Sequence, residues 1–208
     1  MLTRRNLIEV AARTGLAATI ASALPLAELL DPAPAFAADP TLTDATLQAF
    51  ADTMIPGRKA TKTDLGNPIH PMAIAGVDDQ PGAVEADALA LYHHPLAGFD
   101  ALEPAFLARL SSIALQHGAD FLTLEFPDRV AVCVAGLDYS NPDRLLWEAA
   151  AAVPFTAFCA AALVEDQTAA KASGYRVMGL PGAAPHGYKG FSYRRKLSRE
   201  ITRKGYLP

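Results

Sequence analysis

Five histidines and two cysteines offer the chain's soft ligands and nucleophiles, so their surroundings come first. His93 and His94 are adjacent, and on a helix adjacent side chains point about 100° apart. The pair is therefore poorly placed to hold one metal. Both sit just before Pro95, where a helix should end, and an imidazole suits a helix C-terminus. His70 stands between Ile69 and Pro71, with Asp64, Asp78 and Asp79 nearby in sequence. That setting suits a metal or acid–base site, or, in the favoured reading, a loop residue that touches a partner. His117 precedes Gly118 and reads as a helix C-cap; His186, between Pro185 and Gly187, reads as a turn residue. Cys133 and Cys159 lie on different expected helices. They are either one bridge contributing about 3 kcal/mol or two buried thiols acting as small hydrophobes. No basic neighbour in sequence depresses either thiol's pKa.

These residues form no recognisable catalytic constellation. G-x-S-x-G, H-E-x-x-H, G-x-G-x-x-G and P-loop patterns are absent, and no C-x-x-C-H marks covalent haem. Asp78-Asp79 lacks the spacing and closing glutamate of an EF-hand. No catalytic, cofactor-binding or metal-binding residue is therefore assigned to this chain. The alternatives are an independent extracytoplasmic enzyme with a histidine or metal site around His70, His93 and His94, or a stand-alone helical binding protein.

The elements that would carry these groups follow from composition and spacing. The chain has 208 residues, 51% apolar and 19% charged, with a mean hydropathy of +0.15. That excludes wholesale disorder, and a net charge of −4 is no signature of a nucleic-acid binder. Thr43-Asp44 ahead of Leu47, Phe50, Ala51 and Met54 reads as a capped amphipathic helix stopped by Pro56-Gly57. Residues 57–80 read as loop. Pro81 opens a helix running to Tyr92, and Glu103 to Gln116 forms another, ended by His117-Gly118. Pro127 to Leu137 reads as a helix despite Val130, Val132 and Val134. Asn141-Pro142-Asp143 caps a long segment from Arg144 to about Ala172, with a break near Pro154. The expected fold is all-α, a small helical bundle with long loops over residues 38–172.

Both ends differ from that body. Residues 1–37 read as a cleavable export signal. Arg4-Arg5 with Thr3 and Leu7 fits the twin-arginine (Tat) pattern, an apolar stretch follows, and Ala35-Phe36-Ala37 supplies the A-x-A cleavage site. The apolar stretch is interrupted by Pro25 and Glu28 and is too short to span a bilayer. The mature chain is expected to lack a transmembrane span and to reach the periplasm, cell envelope or exterior. The Tat route carries folded cargo, which suits a protein exported together with a cofactor-loaded partner.

At the other end, residues 173–208 are rich in Gly and Pro and then basic and aromatic. From Tyr188 to Pro208 the net charge is +6, whereas Ala38 to Gly187 carries −10. The tail can fold back on the acidic body, remain solvated, or wrap a partner protein.

Phe50-Ala51-Asp52-Thr53-Met54-Ile55-Pro56-Gly57, behind a Tat leader, resembles the A-D-x-(I/L/M)-I-P-G opening of the gluconate 2-dehydrogenase subunit 3 family. The tail Gly187 to Arg195 is similar to that of an uncharacterised actinobacterial branch of such small proteins. The resemblance implies a small subunit without catalytic residues. Such a subunit binds a larger flavoprotein of the glucose-methanol-choline class, stabilises it and carries it through the Tat translocase. FAD would belong to the partner and no cofactor to this chain. Ile55, Pro56, Gly57, His70, Tyr188, Phe191, Tyr193, Arg194 and Arg195 are the expected partner contacts.

Overall fold

The computed structural model describes residues 40–180, apart from Leu96, Asp166, Gln167 and Ala169. The leader residues Arg4, Arg5, Ala35 and Ala37 and the tail residues Tyr188, Phe191, Tyr193, Arg194 and Arg195 lie outside the described residues. Those described form an all-α fold: α1 (Pro40–Met54), α2 (Ala88–Tyr92), α3 (Glu103–Gln116), α4 (Phe126–Leu137), α5 (Arg144–Ala160) and α6 (Ser173–Val177). A 3-10 turn, Phe121–Thr123, precedes α4. Among these residues no helix is long and apolar enough to cross a membrane.

The core gathers where α1, α3 and α5 meet. Phe50, Phe106 and Trp147 are fully buried, with ring centroids 4.8 to 6.0 Å apart in edge-on arrangements. Phe99 joins Tyr92 to Phe106 at 4.8 and 5.8 Å. Such pairs add about 0.5–1.5 kcal/mol beyond their burial. On α4 the buried face is Arg129, Val132, Cys133 and Gly136, while Val130 and Val134 face outward, a helical and not an alternating pattern. A methyl group on Gly136 would lie 2.2 Å from the Trp147 ring, so this glycine sets how closely α4 approaches α5.

Three elements differ from the expectation. Thr43 and Asp44 lie inside α1, which already includes Pro40, and so do not cap it. Helix α2 starts at Ala88, not Pro81. Asp87 adopts φ +62°, and the preceding residues bond to the loop instead, with Ala83 N–H on the Ile55 carbonyl and Asp64 N–H on that of Glu85. Helix α5 runs through Pro154 without a break and ends at Ala161, whose φ of +46° stops it well before Ala172. Proline at 154 has no N–H for the carbonyl four residues back. The Tyr92 hydroxyl replaces that donor, bonding the Ala150 carbonyl at 2.8 Å.

The cysteines are both unpaired. Cys133 is buried on the inner face of α4, and Cys159 is exposed near the end of α5. The bridge is not formed, and only one of the two thiols is a core residue. Burial pushes the Cys133 thiol up to about 12, against the opposing pull of Arg129.

Candidate functional site

The segment from Ile55 to Asp87 has almost no regular structure, yet buried side chains from the helices hold it in place. Asp52 on α1, 1% exposed, accepts hydrogen bonds from Gly57 N–H at 3.3 Å and Ala75 N–H at 2.8 Å. Gln48, one turn earlier, donates to the Pro68 carbonyl and accepts from the His70 N–H. Arg129 on α4 is buried and donates to the carbonyls of Met72, Ala73, Leu122 and Leu124, at 2.7 to 3.1 Å. Asp87 accepts from Thr63 and Asn67, and Arg58 pairs with the largely buried Glu85. Asp64 binds both the N–H and the hydroxyl of Ser173, tying the loop to α6.

Burial raises the Asp52 carboxyl above its ordinary value, and its two N–H bonds and the charges of Arg129 and Lys59 oppose this only in part. Burial likewise lowers Arg129, with Asp52 and Glu125 opposing. The loop is therefore anchored by groups that were expensive to desolvate.

The surface this creates is an open groove of about 460 Å³ between residues 59–77 and 122–129. Met72, Val77, Leu122, Phe126 and Pro127 line it, with Arg129 at its base. Met72 and Val77 are 49% and 53% exposed. A second hollow of about 370 Å³ lies across Lys59 and Ile74, lined by Ile69 and Pro71 on either side of His70. His70 itself is half-buried and its Nδ1 accepts from the Met72 N–H.

Of the residues expected to touch a partner, Ile55 and Pro56 are half-buried on this loop. Gly57 is buried: a methyl group there would lie 2.5 Å from the Gly82 nitrogen. It shapes the turn and presents no surface to a partner. Asp64 turns to Ser173 and Asp78 bonds the Gln80 N–H, so the acidic residues near His70 in sequence do not converge on it.

Residues 41–204 match the family described as "Family of unknown function (DUF5987)". The chain belongs to that family. The match takes in every described helix and continues through the basic aromatic tail, whereas the leader lies outside it. No curated protein and no solved structure matches the chain.

The histidine pair divides as the helix geometry requires. His93 caps the C-terminus of α2, its N–H on the Leu89 carbonyl, and the His94 N–H takes the Leu91 carbonyl. Its ring meets Asp44 of α1 at 2.9 Å and stands 3.7 and 3.6 Å from Asp100 and Glu103. His94 and His70 do not join this group. His117 caps α3, as its place before Gly118 implies. Burial raises the Glu103 carboxyl; Asp100 and Asp44 add to that and His93 opposes it. This gathering is not legible in the sequence because Asp44 is 49 positions from His93. Only the short interval from His93 to Asp100 and Glu103 hinted at it.

Proposed function

We propose that this protein is a non-catalytic accessory subunit of a FAD-dependent oxidoreductase of the glucose-methanol-choline class, exported by the Tat route with that larger flavoprotein. In this reading it binds the flavoprotein, stabilises it and supplies its export signal. The flavin belongs to the partner.

The observation that supports the reading is the open groove beside the Ile55–Asp87 loop, where exposed Met72 and Val77 lie among Lys59, Thr123 and Glu125. Its walls are held by Asp52, which takes the Ala75 N–H, and Arg129, which binds the Met72 carbonyl, so the face is shaped before any partner arrives. A preorganised surface lowers the cost of association. Ile55, Pro56 and His70 lie on the same loop. The charge contrast between an acidic body and a basic tail supports a wrapping arm, with Tyr188, Phe191 and Tyr193 as aromatic anchors and Arg194 and Arg195 pairing with acidic groups.

The test is purification of the affinity-tagged chain, leader included, from the exported fraction of its native host. The expected preparation is yellow, with the absorbance of oxidised flavin and a larger polypeptide. Deleting residues 188–208, or replacing Met72 with Asp in the groove, should remove both the larger polypeptide and the colour. A colourless single polypeptide from the unaltered chain would refute the accessory reading. A truncated chain that keeps its partner would refute the role of the tail.

A further inference from the structure

We infer that His93, Asp100 and Glu103 bind one divalent transition-metal ion of the zinc class, with Asp44 orienting the imidazole from behind. This does not depend on the accessory-subunit reading.

Asp44 places the proton on the neutral His93 ring. Its Nε2 lies 2.9 Å from an Asp44 carboxylate oxygen, which can only accept. Nε2 therefore carries the hydrogen in the neutral ring, and Nδ1 presents a lone pair. That lone pair faces an Asp100 oxygen at 3.7 Å and a Glu103 oxygen at 3.6 Å. Both are beyond hydrogen-bond length. One ring nitrogen and two carboxylate oxygens thus converge on one point, where a metal ion can take the place that a ring proton would otherwise fill.

The spacing fits an ion of this size. Ligands about 2.0–2.2 Å from zinc in a tetrahedron lie about 3.4 Å from one another. The two distances from Nδ1 are close to that value, and one ligand atom from each of the three residues falls within 4.8 Å of the others. The Asp100 side chain is 64% exposed and free to close the remaining gap by rotation. A carboxylate behind the distal nitrogen of a ligating histidine is the usual means of fixing its tautomer. One nitrogen and two carboxylates suit zinc, cobalt or manganese. Calcium takes six to eight oxygens and magnesium keeps most of its water.

The backbone fixes two of the ligands. His93 is the C-cap of α2, and Glu103 is the first residue of α3. An ion here would staple α1, the end of α2 and the start of α3 around the 93–103 connection, with its fourth position open to solvent.

The experiment is calorimetric titration of the untagged, chelator-treated full chain with Zn²⁺. Co²⁺ is used in parallel for its visible d–d absorption. One equivalent should bind, with a cobalt spectrum of mixed nitrogen and oxygen ligation. Asp44→Asn should weaken binding about 10–100-fold, and His93→Ala should weaken it further and abolish the cobalt spectrum. His117→Ala, at another helix end, should bind as the unaltered chain does. His93 is exposed, so its replacement should leave the circular dichroism unchanged. Absence of stoichiometric zinc, zinc binding undiminished by His93→Ala, or a preference for Ca²⁺ over Zn²⁺ would overturn the assignment.

Discussion

Replacing Asp52 by Asn keeps the side chain's shape and changes only what its second atom can do. In the folded chain one carboxylate oxygen accepts the Gly57 N–H and the other accepts the Ala75 N–H. The amide has one oxygen, so its NH₂ must face one of these two donors. A buried donor left without a partner costs about 1–3 kcal/mol, and the remaining bond loses its charge assistance. Against this, the variant no longer buries a charge, and the raised pKa of Asp52 says that burial outweighs its compensating contacts. The net expectation is a loss of about 2 kcal/mol near neutral pH, or about 4–8 °C in Tm at about 2–4 °C per kcal/mol for a chain of this size.

The pH dependence gives a second and sharper reading. A carboxyl whose folded pKa is raised contributes stability that is fully present below its unfolded value of 3.8 and is lost as pH rises through the folded value. The amide does not titrate. The stability gap between the unaltered chain and Asp52→Asn should therefore be widest in acid and narrow as pH rises through that window. Urea denaturation of both proteins across pH 3–7 (roughly the window in which carboxyls titrate) measures it. A gap below about 0.5 kcal/mol, within the range of ordinary surface changes, would refute the role given to Asp52. So would a gap that widens with pH.

The remaining predictions are simpler. Tyr92→Phe removes the hydroxyl that serves the Ala150 carbonyl in place of a helical N–H at Pro154. Thermal denaturation should show a loss of about 1–3 kcal/mol, whereas an unchanged Tm would mean that the carbonyl finds another donor. Native thiol titration should label Cys159 alone. Cys133, buried with its pKa near 12, should react only after unfolding. A folded, non-reduced chain with no reactive thiol would show that the bridge forms after all.

Helices α3 and α4 were legible because each joins apolar residues at helical spacing to clear punctuation: Glu103-Pro104 and His117-Gly118 bound α3, and Pro127 opens α4. The misread places depend on partners distant in sequence. Ala83 and Val84 look helical by composition, yet they are buried in a turn whose backbone bonds the loop that starts at Ile55. Pro154 looks like a break because its compensating donor, Tyr92, lies on another helix. The candidate groove was not legible either. Met72, Val77 and Phe126 belong to segments whose meeting depends on Arg129, and a buried arginine in a valine-rich stretch reads as an exposed one.

The motif at residues 50–57 can be given a physical cause that is separate from any partner. Asp52 is placed to receive two N–H groups, Pro56 turns the chain, and Gly57 must lack a side chain because Gly82 lies against it. These requirements belong to the turn that launches the 55–87 loop. Any chain that leaves its first helix through this turn needs an acceptor at 52 and a glycine at 57, whatever it binds. If the chain binds a partner as proposed, specificity would reside in residues the turn does not constrain, such as Met72, Val77 and Phe126 in the groove. Changing those three should alter partner capture at nearly constant stability, whereas changing Asp52 or Gly57 should lower both together. The two sets of variants thereby separate the fold's requirements from the partner's.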